Sequence, residues 1–153
     1  MTRRLVMAFI AALLTSVAIP AVADATDGWG AWSAWREGRV WSLRLSPEDS
    51  DNTVITFSCR SGSGRIRISA PVHEGDDERI LELVSGEARH SYPVTFREDE
   101  VKGWMARGRT TSRNPVMREF ARTGRLRFGE SGPMDAATAA EKAEVAKFFE
   151  GCR

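Results

Sequence analysis

Residues 54–69 read Val-Ile-Thr-Phe-Ser-Cys-Arg-Ser-Gly-Ser-Gly-Arg-Ile-Arg-Ile-Ser, and their alternation decides the fold class. Ile55, Phe57 and Cys59 fall on one side of an extended chain, as do Ile66 and Ile68 after the Ser61-Gly62-Ser63-Gly64 stretch. Period two on both sides of a Gly-rich turn is the pattern of a β-hairpin with one buried face. The turn lacks the Lys-Ser/Thr pair and the following helix that a phosphate-binding P-loop needs.

The pattern extends in both directions. Trp41, Leu43 and Leu45 alternate with Ser42 and Arg44 as another half-buried strand, and residues 46–52 form a loop by composition. Residues 71–78 are acidic and make a surface connection. Residues 79–84 and 88–96 read as a second strand pair turning at Ser85-Gly86, with Pro93 confining the later strand to an edge or breaking it. Residues 101–106, holding Trp104 and Met105, are a shorter strand.

Asn114 as N-cap, Pro115 at the first helical position, an apolar side of Val116, Met117 and Phe120, and Gly124 as a stop predict a short helix near 115–123. Leu126 and Phe128 suggest a short strand after it. An Ala-rich stretch predicts a C-terminal helix near 135–150, with Val145, Phe148, Phe149 and Cys152 on one side. The expected fold is mainly β, a small antiparallel β-sandwich or curled sheet with these two helices. Strands precede helices, which argues against a doubly wound α/β fold.

The first 23 residues have the anatomy of a secretory signal peptide. Arg3 and Arg4 precede an apolar run of about 15 residues, and Ala21-Val22-Ala23 makes a small-x-small cleavage site, with a cut after Ala25 as the competing option. The run is short of the roughly 20 residues that span a bilayer, so no stable transmembrane anchor is expected. The expected organisation is a cleaved leader at 1–23, a Trp-rich opening segment at 24–40 and one β-rich domain at 41–153. The chain has 22 Lys+Arg against 21 Asp+Glu, a net charge of +1, which excludes a wholly basic nucleic-acid binder or an acidic solvating chain. Only Lys102, Lys142 and Lys147 are lysines, an arginine skew typical of a GC-rich bacterial gene. A periplasmic or secreted bacterial protein is the expectation.

Cys59 and Cys152 are the only cysteines. In an oxidising compartment an even pair most often forms a disulfide. The competing reading, a reactive or metal-binding thiol, has no C-x-x-C and no neighbouring histidine behind it. His73 and His90 stand in no metal-ligand spacing. Asp49-Ser50-Asp51-Asn52 and Asp76-Asp77-Glu78 lack the spacing of a calcium loop, and no G-x-S-x-G elbow holds a nucleophile. No enzyme signature remains, and no cofactor or metal is expected.

Two surfaces are candidates for binding. Arg107, Arg109, Arg113, Arg118, Arg122, Arg125 and Arg127 lie within one stretch that holds a single acid, Glu119. Arg118 and Arg122 share a helix face away from Phe120, and Arg125 and Arg127 point outward, so the guanidiniums either form one basic surface for phosphate or carboxylate groups or make an ordinary Arg-rich surface paired with the acids at 74–78 and 98–100. An anionic lipid, lipopolysaccharide or an acidic envelope protein suits that surface, whereas nucleic acid is a poor partner in this compartment. The second candidate is Trp29, Trp32 and Trp35. Their spacing of three lines a helical turn or an irregular segment, either closing one end of the core or, exposed, forming a platform for glycans or acyl chains. The segment is superficially similar to the layered tryptophans of thrombospondin type 1 repeats, but two cysteines cannot supply their three disulfides.

Trp41-Ser-Leu-Arg-Leu, Phe57-Ser-Cys59, Arg65-Ile-Arg-Ile68 and the closing Phe148-Phe-Glu-Gly-Cys152-Arg together resemble small secreted envelope proteins of proteobacteria. The families are the invasion-associated locus B proteins and the VasI-like accessory proteins of type VI secretion. The resemblance spans residues 41 to 152 and implies a non-enzymatic β-sandwich acting at the cell envelope. It carries over no binding residue. The leading expectation is therefore a non-enzymatic binding or accessory protein; the alternative is a small periplasmic hydrolase or inhibitor-type module that uses the tryptophans as a platform.

The cysteine reading has a direct check. Denatured without reductant, the protein should take up no maleimide, and after reduction it should take up two. Labelling of both cysteines before reduction would remove the disulfide.

Overall fold

A computed structural model describes residues 29–47, 50, 52–72, 80–99, 103–128 and 132–153. The leader at 1–23, both of its cleavage options, His73, the Asp76-Asp77-Glu78 run, Asp49 and Asp51 lie outside the described residues. The fold is mainly β, with two antiparallel sheets and two helices.

The hairpin forms as its alternation dictates. Strand β3 (Ile55–Arg60) pairs with β4 (Arg65–Pro71), placing Phe57 opposite Ile68 and Cys59 opposite Ile66. The turn between them holds Gly62 at φ 72° and Gly64 at φ 63°, a left-handed backbone that favours glycine. β2 (Val40–Ser46) pairs with β3, and Leu43, Leu45, Phe57 and Ile68 are all buried on one face.

Four segments depart from the expected boundaries, each for a physical reason. The Trp-rich opening segment contains β1 (Ala31–Glu37), which is paired with β2 along its full length. Residues 88–96 are not one strand. β6 (Ala88–Pro93) pairs with β5 (Ile80–Ser85), whereas β7 (Thr95–Asp99) pairs with β8. Pro93 has no N–H to continue a ladder, and the buried Val94 marks the crossing between sheets.

β8 (Gly103–Thr111) is the longest strand rather than a short one. Its inward positions are Ala106 and Gly108, and a Cβ on Gly108 would sit against Val94, Pro93 and Tyr92. Packing there requires small residues, so the strand has no apolar alternation to be recognised by. The C-terminal helix α2 (Ala139–Cys152) starts four residues later than expected, at a capping box of Thr138 and Glu141. The residues before it are occupied elsewhere: Met134 N–H donates to Leu126 O, Ala136 N–H to Gly124 O, and Asp135 accepts from Leu126 N–H.

The large sheet runs β1-β2-β3-β4-β8-β7, and β6-β5-β9 forms the small one, with β9 at Arg127–Phe128. Helix α1 (Pro115–Thr123) matches its expected caps, with Asn114 accepting from Val116 N–H and Gly124 left-handed. It buries Val116, Met117 and Phe120. Phe120 packs near Trp32 (5.1 Å), Phe57 (5.9 Å) and Phe149 (5.8 Å, edge-on), joining the large sheet to both helices. Tyr92, the sole tyrosine, donates its hydroxyl to Asn114 Oδ1 at 2.9 Å, and burial raises its pKa.

α2 is fixed to the large sheet at both ends. Cys152 is bonded to Cys59 of β3, with Cα atoms 5.7 Å apart. Closing a loop of separation 93 contributes about 4–5 kcal/mol in the chain-entropy account. The last carbonyls of the helix, at Gly151 and Cys152, accept from Gly62 N–H (3.1 Å) and Gly64 N–H (2.7 Å). The Ser61–Gly64 turn thus serves as a C-cap supplied from another element. At the other end, Glu141 and Glu144 accept from the edge-facing N–H groups of Trp32 (3.1 Å) and Ala34 (2.9 Å), and Trp32 Nε1–H donates to Met134 O at 2.8 Å.

Gly151 lies directly against the Trp41 indole, where a Cβ would overlap the ring. Gly151→Ala improves helix propensity by about 1 kcal/mol, but overpacking costs about 1–3 kcal/mol. A Cβ that overlaps the ring calls for the upper half of that range, so the expected net loss is about 1–2 kcal/mol, a Tm lowered by roughly 2–8 °C in a thermal melt. An unchanged or raised Tm would show that the contact is loose.

Candidate anion-binding face

Strand alternation gives the large sheet two unlike faces. The inner one carries Trp32, Leu43, Leu45, Ile55, Phe57, Ile66, Ile68 and Ala106 into the core. The outer one is read from the register, because residues paired across neighbouring strands share a face. One row runs Trp35, Ser42, Ser58, Arg67, Arg109. The next runs Ser33, Arg44, Thr56, Ser69, Arg107, Thr95. Neither row contains an acidic or an aliphatic side chain. The flanking rows are mixed: Glu37, Val40 and Arg60 share the row toward the β3–β4 turn, with Arg65 beyond, and Pro71, Met105 and Arg97 share the row on the other side.

Arg67 and Arg109 are directly opposed and both exposed. Like charges placed so are unfavourable unless something lies between or above them. Arg44 Cζ sits 5.5 Å from the Trp35 ring centroid, a cation–π contact, and its buried Nε has no hydrogen-bond partner. The face is therefore rich in guanidinium and hydroxyl donors, matched to phosphate or carboxylate oxygens.

The seven arginines between 107 and 127 do not form one surface, which corrects the sequence expectation. Arg107 and Arg109 lie on the outer face of β8. Arg118 and Arg122 ride on α1, which packs against the inner side of the same sheet through Phe120 and Phe57. Arg113 is in the turn before α1, Arg125 precedes the short β9 and Arg127 opens it, both with exposed side chains. Closeness in sequence fails because the chain crosses the sheet between Thr111 and Pro115.

Around α1 a groove of about 750 Å³ is lined by Ser112, Pro115, Arg118, Arg122 and Arg153, with Glu87 and Glu119 among them. Arg122 makes a two-pronged pair with Glu119 at 2.6 and 3.0 Å. The hydrogen bond from Arg122 holds the Glu119 carboxyl below its usual range, and Glu119 raises Arg122 in turn. That groove is largely charge-balanced, whereas the two central rows of the sheet face carry arginines and no carboxylate of their own.

The tryptophans do not form a ladder. Spacing of three on a period-two strand sends Trp32 to the core and Trp35 to the opposite face, at 2% and 41% exposure. Trp29, before the strand, lines a cavity of about 530 Å³ with Arg125, Asp135 and Lys142. The sequence reading missed Arg44, Arg65 and Arg67. The alternation that turned Ile66 and Ile68 inward already put Arg65 and Arg67 outward, but nothing local placed β8 beside them.

Among the described residues no three His, Cys, Asp or Glu side chains gather to hold a metal, and no helix is long and apolar enough to cross a membrane. His90 is exposed, its ring 4.5 Å from that of Tyr92. Protein-family models, curated proteins and solved structures yield no match to the chain.

The opposition of Arg67 and Arg109 makes a thermodynamic prediction. Arg67→Gln should stabilise the protein by about 0.2–1 kcal/mol in low salt, a gain that fades in high salt as screening replaces the substitution. Urea unfolding at two ionic strengths measures it. Destabilisation in low salt would mean that Arg67 is held by a favourable internal pair.

Proposed function

We propose that this chain is a periplasmic or secreted binding or accessory protein of the bacterial cell envelope, without catalytic chemistry of its own. It engages an anionic partner through the outer face of the six-stranded sheet. The observation that carries the reading is the pair of adjacent rows holding Arg44, Arg67, Arg107 and Arg109 among serines and threonines, with no carboxylate in either. The Cys59–Cys152 disulfide suits an oxidising compartment, and the leader-like first 23 residues suit export. The α1 groove is the weaker candidate because Glu87 and Glu119 offset its arginines.

In-cell crosslinking followed by recovery from the envelope fraction tests the reading. The wild type is expected to give a discrete crosslinked species or a salt-sensitive envelope association. Arg67→Glu with Arg109→Glu should abolish it, and Arg118→Glu with Arg122→Glu should retain it. Equal recovery of all three proteins, or no envelope association of the wild type, would remove the sheet face from function.

A further inference from the structure

Within that reading, the composition of the face narrows the occupant, and we infer that it docks on the phosphate-bearing surface of an anionic lipid bilayer. Specific protein interfaces set aromatic side chains, Met and Arg at their centre in well-packed, desolvated pockets. Here the centre is Ser58, Thr56, Ser69, Arg67 and Arg109, with no apolar anchor among them. The register spreads the donors over a broad area: four interstrand steps separate Trp35 on β1 from Arg109 on β8, about 19 Å at the usual spacing. A repeating plane of phosphates meets such an array at many points at once, through paired guanidinium N–H groups and short hydroxyls.

The one aromatic side chain in these two rows stands where a membrane-surface protein needs it. Trp35 is on β1, the sheet edge, 41% exposed, beside Arg44. An indole at the rim of a basic face sits at headgroup depth, while the arginines remain in the plane of the phosphates. Each arginine near an anionic leaflet contributes roughly a fivefold gain in partitioning, so the face acts additively rather than through a pocket.

Sedimentation with vesicles provides the test, using phosphatidylcholine mixed with phosphatidylglycerol against phosphatidylcholine alone. The wild-type protein should sediment only with the anionic vesicles and be released by salt. Arg67→Gln with Arg109→Gln should weaken partitioning roughly 30-fold, whereas Arg118→Gln with Arg122→Gln leaves it unchanged. Both pairs are exposed, and circular dichroism confirms that the variants are folded. Vesicle binding should also shift tryptophan emission to the blue, and Trp35→Phe should remove that shift. No sedimentation with anionic vesicles at low salt overturns the inference, as does equal weakening in the two double variants. If vesicles fail while the in-cell crosslink to an envelope protein still depends on Arg67 and Arg109, the occupant is an acidic protein and the envelope-binding reading stands. If the crosslink loses that dependence as well, both fall.

Discussion

A six-stranded open sheet has an apolar face to cover and a bare edge to close, and α2 does both. Its buried side chains, Val145, Phe148 and Phe149, lie in the same core cluster as Leu43, Phe57 and Ile68. Glu141 and Glu144 reach over the rim of β1 and take the N–H groups of Trp32 and Ala34 that no further strand pairs with. An edge whose donors are occupied in this way cannot recruit another strand through them. The Cys59–Cys152 bond fixes the far end, and the β3–β4 turn caps the helix it holds. Glu141 links these roles, because one oxygen completes the capping box at Thr138 while the other meets Trp32.

With the inner face closed by helices and the small sheet, the outer face is released from any packing duty. That division explains its composition. In the central part of the sheet, inward positions on β3, β4 and β8 hold Ile55, Phe57, Cys59, Ile66, Ile68, Ala106 and Gly108, and the outward positions between them hold Thr56, Ser58, Arg67, Ser69, Arg107 and Arg109. Placing Arg67 against Arg109 costs the folded state something and stabilises no contact described among its neighbours. Under the proposed function, a ligand that brings negative charge would turn that cost into affinity. The Glu119–Arg122 pair on α1 is the opposite case, a basic residue already satisfied inside the protein.

Much of the fold was legible because it rests on local signals. The alternation of residues 54–69, the Asn114-Pro115 start and Gly124 stop of α1, and the Val145/Phe148/Phe149/Cys152 side of α2 each follow from steric and capping rules acting over a few residues. Boundaries slipped where distant partners intervened. Asp135 and Ala136 bond to Leu126 and Gly124 rather than starting a helix. Ala106 and Gly108 make β8 look unlike a strand because Tyr92 and Val94 press on it. Trp32 and Trp35 looked like one cluster until β1 proved to be extended.

By itself the sequence determined the mainly β class, the leader-like start, the two helices and the pairing of the only two cysteines, since composition and short-range periodicity suffice for these. It also fixed that Arg65 and Arg67 point away from Ile66 and Ile68. Only the tertiary structure decided which arginines meet. β4 and β8 are joined by a long connection through the small sheet, and their register, set by burial of Ile66, Ile68, Ala106 and Gly108, brings Arg67 to Arg109. The same topology sends Arg118 and Arg122 to the other side. Which side chains share a surface is a property of strand order, and strand order arises from long-range packing that no local pattern encodes.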